Sequence, residues 1–221
     1  MSGGGSGPTW AEAARGPAAD LLAHLRADAS DDPLPPARRP TRPAWQRYTG
    51  VVHQHADPGA LSGADRDRFR RHVAYVSALA GLVRATDPLP AYRLEMAHVD
   101  AELGGLGPWW RPHVTAALEE ALAPNAVLWL LTGGEYARAV GEPEHVRVVE
   151  PRFLRADGER SLPSATVKQC RGQFARALCE HPRLARRPGD DGWSQVELVA
   201  AGSPVRFVGE DDGVPLWREA G

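Results

Sequence analysis

The apolar positions change period several times along the chain, and each change marks an element. Thr9 and Glu12 form a capping box for a helix beginning near Trp10. Pro17 interrupts that helix, and Asp20 to Ala27 resumes it. The stretch SDDPLPPARRPTRPAW is proline-rich and reads as an extended connector. Tyr48 to His53 reads as a short strand or an extended arm, and Asp57-Pro58-Gly59 as a turn. Ser62 caps a helix from about Gly63 to Leu82, in which Phe69, Val73, Val76 and Ala80 recur at helical spacing; Gly81 and Asp87-Pro88 mark its exit. LPAYRLEMAHVD is extended or irregular, and glycines 104, 105 and 107 form a loop. Pro112 fits a helix start, with Val114, Leu118, Ala121 and Leu122 on the apolar side. NAVLWLL reads as a buried strand, and Thr132 to Glu135 as a second capping box opening a short helix that Gly141 ends.

HVRVVEPRFL is a strand broken or bent at Pro151, followed by a hairpin-type turn, ADGERS. Ala165 to His181 is a long helix, and WSQVELVAA and SPVRFVG are two strands around Gly202-Ser203. The order predicts an α/β or α+β chain, with helices around a modest mixed sheet. Residues 1–8 read as disordered, 9–43 as a helical and proline-rich segment, and 44–221 as the folded body.

Composition narrows the classes. At 221 residues the chain is long enough to bury a sizeable core, and 43% apolar with 24% charged residues is ordinary for a globular protein. The start has no basic-then-apolar run and no stretch approaches a membrane span, so a cytoplasmic protein without membrane contact is expected. The net charge of -2 argues against a uniformly basic coat, yet charge is uneven. Residues 165–189 carry six basic groups against Glu180, a net of +5; residues 190–221 carry seven acids against Arg206 and Arg218, a net of -5. Cys170 and Cys179 lie nine apart on one predicted helix, about 13 Å of rise, too far for a disulfide and consistent with reduced thiols.

Three groups carry candidate chemistry. The long helix holds the one lysine of the chain, Lys168, with Arg171 three positions on, so an anion can bridge the two. Gly172 costs about 1 kcal/mol relative to alanine inside a helix, which close approach by a ligand or another backbone explains. The alternative is a solvated basic face with an incidental glycine. The second group packs Arg84, Tyr92 and Arg93 around a proline-bracketed turn; two guanidiniums and a phenol suit a phosphate, carboxylate or nucleotide. There the alternative is a structural loop whose arginines pair with Asp87 and Glu95. In the third group, His53 and His55 point to one side if the segment is a strand, but their spacing to His98 or Asp57 matches no zinc or iron pattern, and no metal is assigned. No nucleophile elbow, P-loop, HExxH or dinucleotide fingerprint occurs, and no motif names a cofactor.

Taken together, YTGVVHQHADPGALS, YVSALAGLVRATDPLPAYRLEM and KQCRGQFARAL resemble, in order and spacing, the YaaA-like peroxide-stress-response family. AVLWLLTGGEYARAV is similar to a further family segment, and the resemblance covers roughly residues 44 to 182. It matches Tyr48, Thr49 and Gly50; Ser77, Gly81, Arg84, Asp87, Pro90, Tyr92, Arg93 and Leu94; Glu135 and Tyr136; and Lys168, Arg171 and Gly172. It implies an intracellular protein with a single α/β body, a helix-hairpin-helix-like element and a basic cleft to which DNA binding is attributed. It also implies a role in limiting iron-driven oxidative damage. The front departs from the family pattern: the usual hydrophobic strand, Ser-Pro segment and lysine are replaced by MSGGGSGPTWAEAARG.

Three readings follow. In the first, Arg84, Arg93 and Arg171 bind the phosphates of DNA or another phosphate-bearing ligand together with Lys168, and binding weakens steeply with salt. In the second, the same groups hold a small anionic, nucleotide or carboxylate substrate; Lys168 acts as proton donor or electrostatic catalyst and Tyr92 or Tyr48 orients the leaving group. The third is a non-catalytic protein partner, which an exposed Trp109 or Trp110 in an apolar patch favours.

Overall fold

In a computed structural model of the chain, which describes residues 15–28, 40–188 and 191–220, the elements run in chain order as follows. Helix α1 is Arg15–Asp28, followed by β1 (Thr41–Pro43), α2 (Ala44–Arg47), α3 (Val51–Ala56) and α4 (Gly63–His72). Then come β2 (Ala74–Ser77), β3 (Gly81–Arg84), β4 (Pro88–Pro90), β5 (Val99–Asp100), β6 (Gly104–Gly105), α5 (Leu106–Ala121), β7 (Val127–Trp129) and α6 (Glu135–Val140). The last part holds β8 (Arg147–Val149), β9 (Arg152–Leu154), α7 (Ser164–Glu180), two 3-10 turns (Leu184–Arg186 and Asp191–Gln195), β10 (Glu197–Ala200), β11 (Ser203–Asp211) and β12 (Val214–Glu219). The chain is α/β, and it divides into two compact units. The Thr9–Glu12 capping box, the disorder of residues 1–8 and most of the proline-rich connector lie outside the described residues.

Unit 1 comprises the described residues up to Arg47, together with Ala74–Pro124 and Gly133–His145. Pro17 does not interrupt a helix: it sits in the first turn of α1, where its nitrogen has no intrahelical carbonyl to serve. The predicted helix over 63–82 is corrected too. It stops at Val73, whose backbone is already extended (φ -96, ψ 129), and residues 74–84 form the antiparallel hairpin β2–β3. Val73, Tyr75 and Val76 are β-branched or aromatic, types that favour extended backbone over helix. Ser77 closes the hairpin by accepting the Leu79 and Ala80 amides at 3.2 and 3.1 Å. Gly81 takes φ +65, and a Cβ there would stand 2.5 Å from the Trp110 ring, so both backbone and space demand glycine. Trp110 is fully buried and donates its indole N–H to the Ala78 carbonyl at 2.9 Å, which removes it from any exposed apolar patch; Trp109 is half-buried.

Helix α5 also begins before its predicted start at Pro112. Gly105 caps it, the Leu106 amide reaches the His98 carbonyl, and Leu106, Trp110, Val114 and Leu118 recur every fourth residue on the buried side. Pro112 lies on the exposed side, where losing one amide leaves only the Pro108 carbonyl to water. Glycines 104 and 105 form β6 and Gly107 lies in the helix, so they do not make one loop. The short helix ending at Gly141 forms as expected, but its cap is Gly134 with no side-chain bond, and Glu135 instead pairs with Arg138 at 2.6 Å.

Unit 2 comprises Tyr48–Val73, Asn125–Thr132 and Val146–Gly221. Its four-stranded sheet has the order β10-β11-β12-β9; the first three pair antiparallel and β12 pairs β9 in parallel, which makes the sheet mixed. The two tight turns, Ala201-Gly202 and Asp212-Gly213, carry positive φ at both central residues, as two-residue hairpins of native twist require. Strand β12 escapes the sequence reading because Pro215 opens it; Pro215 and Trp217 alternate inward all the same. Pro151 breaks HVRVVEPRFL as expected, so that β8 pairs with β7 and β9 joins the larger sheet. In the ADGERS turn the Asp157 carboxylate accepts the Glu159 and Arg160 amides, which hold its pKa down at about 2.

Helix α7 lies against this sheet. Phe174 is its fully buried centre, stacked on Trp193 at 5.0 Å and edge-on to Trp217 at 5.5 Å. Gln173 serves the outer strand: its amide group bonds both the N–H and the carbonyl of Val199, standing in for a neighbouring strand, while Gln169 accepts the Ala201 amide.

Candidate functional site

The sequence-predicted residues fall into two sets, Arg84, Tyr92 and Arg93 in unit 1 and Tyr48, Lys168 and Arg171 in unit 2. In unit 1 the turn after β3 is latched at both ends. The Arg84 amide donates to the buried Asp87 carboxylate at 2.8 Å, and the Asp87 amide returns to the Arg84 carbonyl at 3.1 Å. The Ala44 and Trp45 amides bond Asp87 and Ala85 carbonyls, docking α2 on the same turn. Asp87 thus serves Arg84 through the backbone. Arg84 is half-buried, and Arg93 is exposed with no partner among the described residues. The Ser77 hydroxyl, which accepts those two amides, also shares a hydrogen bond with the Tyr92 hydroxyl 2.9 Å away. That bond fixes where the Tyr92 phenol oxygen sits. A largely apolar cavity in this unit is lined by Leu82, Trp110, His113 and Glu120, among others, and none of the candidate residues lines it.

In unit 2, Lys168 is exposed on α7 with no partner among the described residues. Arg171, one turn on, is 15% exposed and donates to the Glu150 carboxylate at 2.5 Å. Its Nε is buried without an acceptor among the described residues. An unpaired buried donor costs about 1–3 kcal/mol unless a water or ligand satisfies it. Glu150, on the segment between β8 and β9, was not legible as part of this group; 21 positions separate it from Arg171 and no motif joins them.

Gly172 is explained by backbone, not by a ligand. A Cβ there would run into the Val52 carbonyl oxygen, with His55 Cβ at 2.7 Å and the Ala56 nitrogen at 3.0 Å. The segment 51–56 is helix α3, capped by Gly50, which corrects the strand reading. His53 and His55 therefore lie about 200° apart and not on one side. His55 Nδ1 donates to the Val51 carbonyl of its own helix, and Tyr48 stacks on His53 with ring centres 5.2 Å apart. Among the described residues no three His, Cys, Asp or Glu side chains converge as a metal site.

Burial lowers the His53 pKa from 6.5 to about 4. As pH falls from 6.5 the unfolded chain takes up this proton first, so stability falls down to about pH 4, by about 3 kcal/mol in all from this one group. Thermal melts of the wild type and His53→Phe between pH 7 and 4 test this. The variant should show a shallower loss; an identical slope contradicts it. The two cysteines are free and buried, and burial pushes their thiols up to about 12 (Cys170) and about 11 (Cys179).

Comparison with known proteins gives the chain its relatives. The family described as peroxide stress protein YaaA matches residues 10–184. A UPF0246 protein of Streptomyces coelicolor is 35% identical over 139 residues, 62% of this chain and 53% of the relative. One from Corynebacterium glutamicum is 31% identical over 155 residues, 68% and 60% respectively, and one from Streptococcus pneumoniae is 27% identical over 168 residues, 76% and 63%. The chain spans 53% to 63% of the length of these curated relatives. Among the described residues no helix is long and apolar enough to cross a membrane.

Proposed function

This chain belongs to the peroxide stress protein YaaA family, and from that premise we propose that it acts in peroxide stress by binding nucleic acid or another phosphate-bearing ligand through basic surface groups. The observation that carries the reading is on α7: an exposed lysine without a partner among the described residues, one turn from an arginine whose Nε lacks an acceptor among them. Glu150 holds one end of that guanidinium through a charge-assisted bond and so fixes its place on α7. In unit 1, Arg93 is exposed and follows Tyr92 in sequence, and Arg84 sits on the latched turn after β3. Each set by itself offers cations that fit a phosphate backbone or a nucleotide. Direct peroxide scavenging by the cysteines is disfavoured. The thiolate is the reactive form, and with pKa values of about 12 and 11 almost none is present near neutrality.

A second reading, an enzyme acting on a small anionic substrate, draws on Tyr48. Its stacking on a neutral, buried His53 gives that phenol a defined place, as a group orienting a substrate needs. One binding series separates the two: a short DNA duplex and a nucleotide panel, titrated by anisotropy across salt, with wild type, Lys168→Ala, Arg171→Ala and Arg93→Ala. Under the first reading Lys168→Ala weakens duplex binding on the order of tenfold and lowers the salt slope by about one charge. Saturable, Lys168-dependent binding of one nucleotide without duplex binding removes nucleic acid as the ligand and turns the search to the chemistry of that small anion. Wild-type binding by all three variants, or no binding at low salt, overturns the phosphate reading.

A further inference from the structure

A second basic surface lies in unit 2, away in sequence from Lys168. Helix α4 ends in Arg70, Arg71 and His72, and the segment after α7 carries Arg183, Arg186 and Arg187 around a surface concavity that also includes Pro182 and Leu184. Helix α4 and the Leu184–Arg186 turn both pack on α7, and Arg186 is one of the charges that act on His72. Basic residues at the end of α4 alone need no ligand, because they complement the helix carbonyls. Arg183 and Arg186 come from elsewhere in the chain, and that argument does not cover them.

Among the described residues, the acids nearby on α4 and α7 are paired. Asp65 pairs with Arg68, which also donates to the Cys179 carbonyl; Asp67 faces Arg70 at 4.0 Å; and Glu180 pairs with Arg176 at 2.9 Å. That leaves Arg71, Arg183 and Arg186 exposed and without partners among the described residues. Burial first, then Arg71, Arg186 and Arg68, hold the His72 imidazole below its usual value, so these three arginines act on the ring as positive charge. Convergent like charges destabilise the fold until an anion neutralises them, and guanidinium forks match the tetrahedral oxygens of a phosphate.

We propose that the surface formed by Arg71, His72, Arg183 and Arg186 is a separate binding site for a phosphate group. The source is a free polyphosphate or the phosphodiester backbone of a nucleic acid. The surface shares no residue with the Lys168 group, so the two readings stand or fall independently.

The test follows the His72 ring resonances of the full chain by NMR against pH, with chloride, pyrophosphate or a short DNA duplex at matched ionic strength. Pyrophosphate should raise the His72 pKa saturably, and Arg183→Ala/Arg186→Ala should weaken that effect on the order of tenfold with an unchanged melting temperature. Lys168→Ala should leave it intact. A rise with pyrophosphate identifies a free-phosphate site, and a rise with the duplex alone identifies the backbone as the source. A His72 titration that neither probe moves beyond the chloride control overturns the proposal, as does a shift that survives in the double variant.

Discussion

Phe174→Ala is expected to cost about 3–5 kcal/mol, the largest loss from a single side chain in unit 2. Phe174 is fully buried on α7, and its ring meets Trp193 and Trp217 on the sheet side and Trp129 at 5.1 Å. Alanine removes the ring that these three indoles share. They come from three different elements, so no one of them can close the cavity without leaving its own partners. Trp129 is further tied by its N–H to the Ala185 carbonyl at 2.7 Å. In a chain of this size, about 2–4 °C is lost per kcal/mol, so the melting temperature should fall by roughly 6–20 °C. Urea titration followed by tryptophan fluorescence measures the loss directly. Phe174→Leu, which keeps most of the volume, should lose less than half as much. If both variants unfold at the wild-type midpoint, Phe174 is not the centre of this core.

The same helix explains why the site was partly legible. Lys168 and Arg171 could be read from sequence because local spacing alone puts i and i+3 on one face. Gly172 stood out by its cost, and both explanations, ligand and backbone, were open. What decided between them was the position of Val52, 120 residues earlier and on a helix that looked like a strand. His53 and His55 alternate with smaller residues over too few positions for any period to be distinctive, and only tertiary packing on α7 fixes the helix. The 63–82 misreading has the same origin: Phe69, Val73, Val76 and Ala80 fit a helix period, yet Gly81 at φ +65 and the Trp110 ring over it belong to a hairpin. Long-range pairings such as Arg171 with Glu150, or Gln173 with the edge of β10, leave no local trace at all.

Helix α7 thus has a separate task on each side. Phe174 and Cys170 face the core, Gln173 and Gln169 satisfy the outer strand, Gly172 admits α3, and Lys168 remains to solvent. This arrangement constrains how any loss of binding is read. A substitution at Lys168 removes charge from the exposed side alone, whereas one at Phe174 or Gly172 moves the helix that carries the charge.

Gly172→Ala should therefore destabilise the protein although alanine is the better helix former. The added methyl group meets the Val52 carbonyl oxygen and the Ala56 nitrogen, and these are backbone atoms that no rotamer change can move. Helix α3 must shift or tilt away from α7. Such overpacking costs about 1–3 kcal/mol, plus the hydrogen-bond strain of moving a six-residue helix as a body. The gain in helix propensity returns about 1 kcal/mol, so overpacking leaves a net loss of up to about 2 kcal/mol before the strain of moving α3, and the melting temperature falls by up to about 8 °C. Gly16→Ala is the control. It also lies in a helix, but nothing stands within 4 Å of its Cβ direction, so it should be neutral or gain up to about 1 kcal/mol. If Gly172→Ala stabilises the protein as Gly16→Ala does, the close approach of α3 is wrong, and the ligand explanation for the glycine returns. If it destabilises as expected while Lys168-dependent binding persists at low temperature, Gly172 acts by seating α3 and the binding chemistry belongs to its neighbours on α7.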